Sequence, residues 1–410
     1  MQKSRLTGGN NNLLFKSKGR CGNFVKYNCV IYYRLRLNVM EHRLYPIITG
    51  IMKLSFFDSA TMRQIRILIM LFFWGHLSFA TSSPDTLKKD KHIPGRPASI
   101  GIIGDTANVN TPVKAGLVMI GGGRDVDEAF KWMIDRSGGG DVVIIRASGK
   151  NGYNPYIYGL GKVNSVETLK IDSRALANND TVAYIIRNAE MLFIAGGDQS
   201  NYMNFWRGTK TMDAINYLLN VKHAPVGGTS AGCAIMGGIY YSGENASVTA
   251  EQALANPYNP LVKLYHDDLL HAPFLQSVIT DQHYITRDRQ GRHVAFLSRI
   301  VKDWHLFANG IAADEHTAVC VDENGHAIVI GTSKAYFLLT NNQKPPETCE
   351  PGKPLTWANN HQAIQVYEVQ GTATGSGSFD VANFNPTQAS GGKWFWWWVD
   401  AGKLKRQEAK

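Results

Sequence analysis

The chain has 410 residues, of which 44% are hydrophobic and 19% are charged, the proportions of a globular protein with ample material for a core. Its net charge of +10 lies entirely in the first 80 residues, since positive and negative side chains balance in 81–410. A neutral folded part offers no basic face to phosphates, and this argues against nucleic acid as a partner.

The basic amino-terminal segment ends in a pattern typical of a secretory signal peptide. Residues 62–80 run from two arginines through an apolar stretch to a small-x-small cleavage signature at Ala80. A membrane anchor is the competing interpretation, but Gly75 and His76 interrupt the apolar run well short of the ~20 residues that cross a bilayer. We predict export to the periplasm or the extracellular space, cleavage near Ala80, and no stable membrane anchor.

Because a signal peptide begins a chain, residues 1–61 fit poorly in front of it. We expect Met62 to be the true start and 1–61 to be a non-native or disordered extension. Residues 81–410 then form a single α/β domain. Loops inserted near 242–272 and 340–360, rich in turn-forming residues, are expected to reshape or cover a site.

After the leader, apolar strands alternate with segments of helical periodicity. Such alternation predicts a doubly wound α/β fold with a mostly parallel sheet and helices on both faces, whose sites gather at the carboxyl ends of the strands. Asp180 is the expected N-cap of one helix. The predicted strands are 115–120, 142–145, 191–195, 225–228, 274–279, 317–321 and 327–330, and the predicted helices are 126–134, 180–186, 212–219 and 294–301.

The strand at 225–228 leads into Gly228-Thr229-Ser230-Ala231-Gly232, which reads G-x-S-x-G at a strand-to-helix turn. This is the form of a nucleophile elbow, in which flanking glycines permit the sharp bend that exposes a serine hydroxyl. The alternative is a helix start whose glycines only pack closely.

We expect the cysteines to have structural roles. Cys233 is expected to be a small buried hydrophobe. If the protein contains a disulfide, Cys320 with Cys349 is the pair that the sequence favours. No Cys or His cluster indicates a metal site.

Residues 394–398, Trp-Phe-Trp-Trp-Trp, predict an edge strand that packs aromatic rings on the sheet, with sugar or membrane contact as the alternative.

Four sequence blocks stand out along the chain. In order, they are Gly196-Gly197-Asp198-Gln199, Gly227 to Gly232, Asp281-Gln282-His283 with Arg287, Arg289 and Arg292, and Gly310 to Glu315. Together they resemble the cyanophycinase family of serine peptidases. The resemblance implies a flavodoxin-like core similar to that of class I glutamine amidotransferases. It also implies a usually dimeric enzyme that cleaves β-aspartyl-arginine linkages in a peptide or cyanophycin-like polymer without a cofactor.

By position within these blocks, Ser230 matches the nucleophile, His283 the base and Glu315 the carboxylate that orients the base. An imidazole accepts a hydroxyl proton near neutral pH, and a carboxylate on its other nitrogen fixes the tautomer. The N–H groups of Gly196 or Gly197, with that of Ala231, are the candidate oxyanion hole.

The same matching makes six further residues candidates for substrate binding: Gln199, Asp281, Gln282, Arg287, Arg289 and Arg292. Arginines suit an aspartyl carboxylate, and Asp281 suits a guanidinium or an amine. The alternatives are a solvated helix face for Arg289 and Arg292 and a helix N-cap for Asp281. A lipase-type arrangement would instead need His361 as base.

Three functions therefore stay open at the level of the sequence. The favoured one is an exported serine exopeptidase acting on β-aspartyl bonds through an acyl-enzyme. The second is another serine hydrolase on the same fold, an isoaspartyl or α-aspartyl dipeptidase or an esterase. The third, a silent binding protein, is disfavoured because all three catalytic residue types are present.

Overall fold

Two β-sheets with helices packed against them make up the part of the chain that the computed structural model describes, residues 95–340 and 344–409. These residues belong to one compact unit spanning Lys89–Lys410. The predicted extension 1–61 and signal peptide 62–80 lie outside the described residues. In the described ranges, every helix is too short or too polar to span a bilayer.

The first sheet has ten strands and the second has eight. In chain order the strands are β1 (Ser99–Gly104), β2 (Gly116–Ile120), β3 (Asp141–Arg146), β4 (Ser165–Lys170), β5 (Met191–Ile194), β6 (Pro225–Thr229), β7 (Ile239–Tyr241), β8 (Leu264–His266), β9 (Val278–Gln282), β10 (Asn309–Ala313), β11 (Thr317–Asp322), β12 (His326–Gly331), β13 (Lys334–Thr340), β14 (Ile364–Gln370), β15 (Ser376–Asp380), β16 (Asn385–Ser390), β17 (Lys393–Asp400) and β18 (Lys403–Glu408).

The helices connect these strands mostly in the first half of the described chain. They are α1 (Asp127–Arg136), α2 (Tyr153–Leu160), α3 (Arg174–Ala177), α4 (Asp180–Asn188), α5 (Gln199–Trp206), α6 (Lys210–Tyr217), α7 (Ala231–Ala234), α8 (Ala250–Ala255) and α9 (Gln290–Trp304), with a π-helical turn at Leu218–Lys222 and a 3-10 turn at Asn359–His361.

The centre of the first sheet is parallel, in the order β4-β3-β5-β6-β2, with antiparallel strands added at both sides. Within β3, Val142 and Ile144 pack with α1 and α2, whereas Val143 and Ile145 pack with α4 and α6 in a different cluster. Because neighbouring strand residues point to opposite faces, the helices cover both faces of this sheet. The predicted doubly wound α/β fold is confirmed.

The second sheet runs β18-β17-β14-β13-β10-β9-β7-β8 and was not predicted as a separate sheet. Ile311 and Phe337 on one face join the core of the first sheet. Ala312 and Leu338 on the other face pack in a cluster that includes the long helix α9. β9 and β10 are parallel neighbours, so their carboxyl ends lie side by side.

Three local expectations differ from the structure. Asn179, not Asp180, caps α4, because its side-chain oxygen accepts the N–H groups of Thr181 and Val182. The segment 242–272 contains α8 and β8 and is not a plain loop. The tryptophan strand β17 is not an edge strand, since it lies between β14 and β18.

The disulfide that the sequence favoured is absent from the described residues. Cys320 lies inside the first sheet between Val118 and Ile328. Cys349 is buried in the other core beside the Ser298 hydroxyl, and both thiols are free. The two cysteines belong to cores on different sheets, and this separation explains why no bridge forms. Cys233 is a buried free thiol in an apolar cluster, as predicted.

Candidate active site

The Ser230 turn at the carboxyl end of β6 has the sharp geometry of a nucleophile elbow. Ser230 has φ of 51° and ψ of −112°, a conformation that non-glycine residues rarely adopt. A Cβ on Gly228 would lie 2.5 Å from the carbonyl carbon of Gly232, and one on Gly232 would lie 2.1 Å from the Ile194 oxygen. Both positions therefore require glycine, which explains the G-x-S-x-G spacing.

Ser230, His283 and Glu315 form one chain of hydrogen bonds. The Ser230 Oγ lies 2.8 Å from His283 Nε2, and His283 Nδ1 lies 2.6 Å from Glu315 Oε1. The His283 ring is buried, whereas Ser230 is half-buried. The structure thus brings together the three side chains that the sequence singled out, in the order that nucleophilic catalysis requires. Their catalytic roles stay predictions.

The three side chains arrive from two different sheets. Ser230 follows β6 of the first sheet. His283 follows β9 and Glu315 lies two residues beyond β10, and these parallel neighbours pair Gln282 with Ala313 in the second sheet. The site therefore lies where the carboxyl ends of strands from both sheets meet.

A glycine turn, Gly121–Gly123 directly after β2, joins the three segments. The consecutive carbonyl oxygens of residues 120, 121 and 122 accept the N–H groups of Ser230, His283 and His316 at 3.0, 2.8 and 3.0 Å. A Cβ on Gly122, which has φ of 99°, would lie only 2.3 Å from His283 Cε1. The turn thus holds the backbones of the triad and leaves room for the imidazole.

Burial lowers the pKa of His283 below its usual 6.5, and the nearby positive charges of Arg287 and Arg289 lower it further. The Glu315 carboxylate acts in the opposite direction, since it stabilises the imidazolium. A histidine with a lowered pKa is neutral at pH 7 and available to accept the Ser230 proton.

Asp314 secures the loop that follows His283. Its Oδ1 accepts the N–H groups of Ile285 and Thr286, both at 2.9 Å, and its Oδ2 accepts the Ser333 hydroxyl at 2.7 Å. Burial alone would raise the pKa of Asp314, but these hydrogen bonds outweigh burial and lower it. Asp314 is therefore an ionised anchor between the segments carrying His283 and Glu315.

The candidate oxyanion groups lie next to Ser230. A Cβ on Gly196 would lie 3.3 Å from the Ser230 Cβ, and Ala231 is the first residue of α7. The Ser230 N–H is already bonded to the Ile120 oxygen. By contrast, no described residue accepts a hydrogen bond from the N–H of Gly196, Gly197 or Ala231. These three amides are free to donate to a developing oxyanion.

Two of the six predicted substrate-binding residues lie at the surface of the site. Arg287 is exposed, and its Nε lies 3.8 Å from Glu315 Oε1. Gln199 begins α5 directly after the Gly196-Gly197-Asp198 turn and is partly exposed. Arg287 thus lies beside the Glu315 carboxylate, and Gln199 lies beside the candidate oxyanion turn.

The other four predicted substrate-binding residues are buried under the His283 loop. Arg292 donates to Asp281 through two bonds of 2.9 and 2.5 Å. Arg289 donates to the Gln282 carbonyl, and burial followed by the Arg292 charge lowers its pKa to about 10. Burial opposes the ionisation of Asp281, but the two arginines outweigh it and lower its pKa. The structure pairs these groups with one another and does not present them to solvent.

No group of three or more His, Cys, Asp and Glu side chains within the described ranges could hold a metal ion.

The sequence interpretation overlooked the glycine turn and Asp314. The signal for the former was present, since three glycines stop the first strong strand at the edge where Ser230 was expected. Asp314 stood inside a recognised block without an assigned role. Its partners Thr286 and Ser333 lie 28 and 19 residues away in the chain, and spacing alone does not reveal such contacts.

Comparisons with known proteins agree with the resemblance drawn from the four blocks. A family model described as peptidase family S51 matches residues 117–329, just over half of the chain. A curated cyanophycinase of Trichormus variabilis is 26% identical over 206 residues, 49% of this chain and 63% of the relative. A cyanophycinase of Geminocystis herdmanii is 25% identical over 166 residues, 40% of this chain and 55% of the relative.

The chain thus spans less than two thirds of the length of these curated relatives. A crystal structure of a peptidase from an acI-B1 Actinobacterium is 16% identical and covers 55% of this chain and 91% of that chain, with a TM-score of 0.40. The family-model match carries the assignment, and it includes all three triad positions. The chain belongs to peptidase family S51.

Proposed function

We propose that this protein is an exported serine exopeptidase that hydrolyses β-aspartyl-arginine, or related β-aspartyl isopeptide bonds, through an acyl-enzyme on Ser230. The observation that carries the proposal is the continuous series of hydrogen bonds from Ser230 through His283 to Glu315, in a protein of family S51. The curated relatives, named as cyanophycinases, support the substrate class.

The residues of the site divide the reaction into two steps. His283 Nε2 accepts the Ser230 proton as Oγ attacks the scissile carbonyl, and the N–H groups of Ala231 and Gly196 or Gly197 stabilise the oxyanion. His283 then gives the proton to the leaving amine. Water then loses a proton to His283 as its oxygen attacks the acyl carbon. The bond from that carbon to Oγ breaks, and His283 returns the proton to Oγ, which restores the Ser230 hydroxyl. Glu315 holds the imidazole in one tautomer throughout.

Arg287 is the residue best placed to recognise an aspartyl unit. Its guanidinium is exposed and lies beside Glu315, so it is available to a substrate carboxylate near the reacting carbonyl. Gln199, at the start of α5, is a candidate partner for the leaving group. A lipase-type pocket for apolar acyl chains needs neither side chain.

Hydrolysis assays on purified protein test the proposal. Substrates are insoluble cyanophycin, β-Asp-Arg, α-Asp-Arg and a p-nitrophenyl ester. We expect release of β-Asp-Arg or its amino acids, and a loss of roughly 10⁴-fold or more in kcat/KM in Ser230→Ala. Ser390→Ala, at an exposed position on β16, is the matched control and retains activity. Equal activity in Ser230→Ala refutes the mechanism, and activity on the ester alone refutes the substrate class.

Export and assembly belong to the same proposal and have their own measurements. Amino-terminal sequencing of the mature protein is expected to start directly after Ala80, and a start upstream of Met62 contradicts export. We also propose that the mature protein has no stable membrane anchor and forms a homodimer. Light scattering of the mature protein measures the latter, and a monomeric mass at micromolar concentration contradicts it.

A further inference from the structure

A cavity lies beside the loop that follows His283. It has a volume of about 360 Å³, large enough for an amino acid or dipeptide. One wall is formed by the loop and the start of α9, and the other by strands of the second sheet. All six of these strand residues follow residue 329, beyond the part of the chain that matches the family model. The lining residues are Ile285, Asp288, Gln290, Lys334, Tyr336, Trp397, Leu404, Lys405 and Arg406.

Two polar atoms of the lining side chains are buried without a hydrogen-bond partner in the described structure. One is an acceptor, Gln290 Oε1, and the other is a donor, Trp397 Nε1. The Trp397 side chain is 1% exposed. Because a buried polar atom without a partner is costly, a small side-chain movement that lets these two atoms bond to a polar ligand in the cavity is favourable.

Two free charges of opposite sign line the same cavity. Lys334 and Lys405 are engaged by Glu368 and Asp400. By contrast, neither the Asp288 carboxylate nor the Arg406 guanidinium forms an ion pair with any described residue. Arg406 pairs across the strands with Trp397, so both residues lie on the same wall of the cavity. Gln290 follows Asp288 by two residues, so the free acceptor and the free anion lie on the other wall.

The floor of the cavity is aromatic. The rings of Tyr336 and Trp397 lie 5.9 Å apart, and both also contact Tyr284, which follows His283. Such rings pack well against the apolar part of a small organic ligand, which therefore displaces water from them.

We propose that this cavity binds a small zwitterion, an amino acid or short peptide, with its ammonium group at Asp288 and Gln290 and its carboxylate at Arg406 and Trp397. An ammonium group carries only donors and suits a carboxylate and an amide oxygen, whereas a carboxylate carries only acceptors and suits a guanidinium and an indole N–H. The site does not include Ser230 and does not require hydrolysis.

Calorimetric titration of the full chain carrying Ser230→Ala tests this site without turnover. The probe is glycylglycine, compared with N-acetyl-glycylglycine, which lacks the ammonium group, and glycylglycine amide, which lacks the carboxylate. We expect saturable binding of one glycylglycine per chain and an affinity about tenfold weaker for each blocked peptide.

Variants test which side chain binds each charged group of the peptide. Arg406→Gln is expected to abolish the preference for glycylglycine over its amide, and Asp288→Asn to abolish the preference over the acetylated form. Trp397→Phe keeps a ring but removes the N–H donor and weakens binding several-fold. Lys393→Gln, on the same strand but outside the cavity, is the control and binds as the parent does.

Two results overturn the proposal. One is the absence of saturable binding at millimolar glycylglycine, which means that the cavity is hydrated only. The other is unchanged binding and unchanged preferences in Arg406→Gln and Asp288→Asn, which places the peptide elsewhere. Because both variants lie at exposed positions, folding is preserved even if Trp397→Phe fails to fold. Hydrolysis by the wild-type chain is measured separately, so failure of this site and failure of the proposed peptidase activity are distinguishable.

Discussion

The nucleophile and the base of the candidate site are held by different forces. Both Ser230 and His283 have positive φ at the end of a strand, at 51° and 50°. The Ser230 turn rests on close backbone contacts that only Gly228 and Gly232 permit. The His283 segment rests on buried charge, with the Asp281–Arg292 pair on one side and Asp314 on the other.

This difference indicates how each half fails. A glycine-packed region tolerates no added methyl group, because there is no side chain that can move aside. A region held by buried charges tolerates no loss of one partner, because the other is left uncompensated. Added volume should therefore damage activity through geometry, and removed charge should damage stability.

Gly122→Ala is expected to have the largest effect on activity. The new Cβ would lie 2.3 Å from His283 Cε1, so the imidazole must move by about 1 Å, and we expect kcat to fall by roughly 10²–10³-fold. Gly152→Ala is the control, since nothing lies within 4 Å of its Cβ. Steady-state kinetics of both variants measure this difference in kcat. Similar kcat values for the two would show that the glycine turn does not position the base.

Arg292→Met is expected to have the largest effect on stability. It leaves the Asp281 carboxylate buried without its bidentate partner, and we expect a loss of about 3–5 kcal/mol in the free energy of unfolding. Urea denaturation measures this loss. Lys131→Met removes an exposed pair with Glu128 and should leave the midpoint unchanged. Equal midpoints for the two variants contradict a structural role for the buried pair.

Arg287→Gln is expected to move the pH profile. The His283 base works in its neutral form, and its pKa is below 6.5. The acid limb of the kcat/KM profile should therefore have its midpoint below pH 6.5. The Arg287 charge lowers that pKa, so its removal should shift the acid limb to higher pH. Lys353→Gln, exposed and distant in the chain, should leave the limb in place. A shift of the acid limb to lower pH would contradict the lowering of the His283 pKa by the Arg287 charge.

Reduction is expected to have the smallest effect. Since Cys233, Cys320 and Cys349 are separate buried thiols, a reducing agent should not change the thermal midpoint of the mature protein. Mass spectrometry under non-reducing conditions after denaturation in alkylating agent should find three modified cysteines. A drop in the midpoint on reduction would contradict the separation of Cys320 and Cys349.

The sequence was most informative where function depends on local backbone geometry. The elbow, the alternating strands of the first sheet and the helix α9 follow from glycine spacing and apolar periodicity. The triad side chains were identified through motif matching, and the structure places them within hydrogen-bond distance.

The sequence was least informative where long-range contacts decide the outcome. Motif matching makes Asp281, Arg289 and Arg292 candidate substrate ligands. In the structure they are buried and paired with one another, and no periodic pattern encodes that pairing. β17 lies inside the sheet and not at its edge, because the polar strand β18, which carries no apolar signal in the sequence, pairs beside it. The second sheet depends on pairings between strands that are not consecutive in the chain, such as β10 with β13 and β14 with β17.

Covalent labelling of Ser230 tests the central claim most directly. The mature protein is treated with a fluorophosphonate near pH 8, digested, and mapped by mass spectrometry, with His283→Ala as a second sample. We expect one phosphonylated residue, Ser230, and a labelling rate that falls by orders of magnitude when His283 is removed. Labelling of another serine, or equal rates with and without His283, would contradict it.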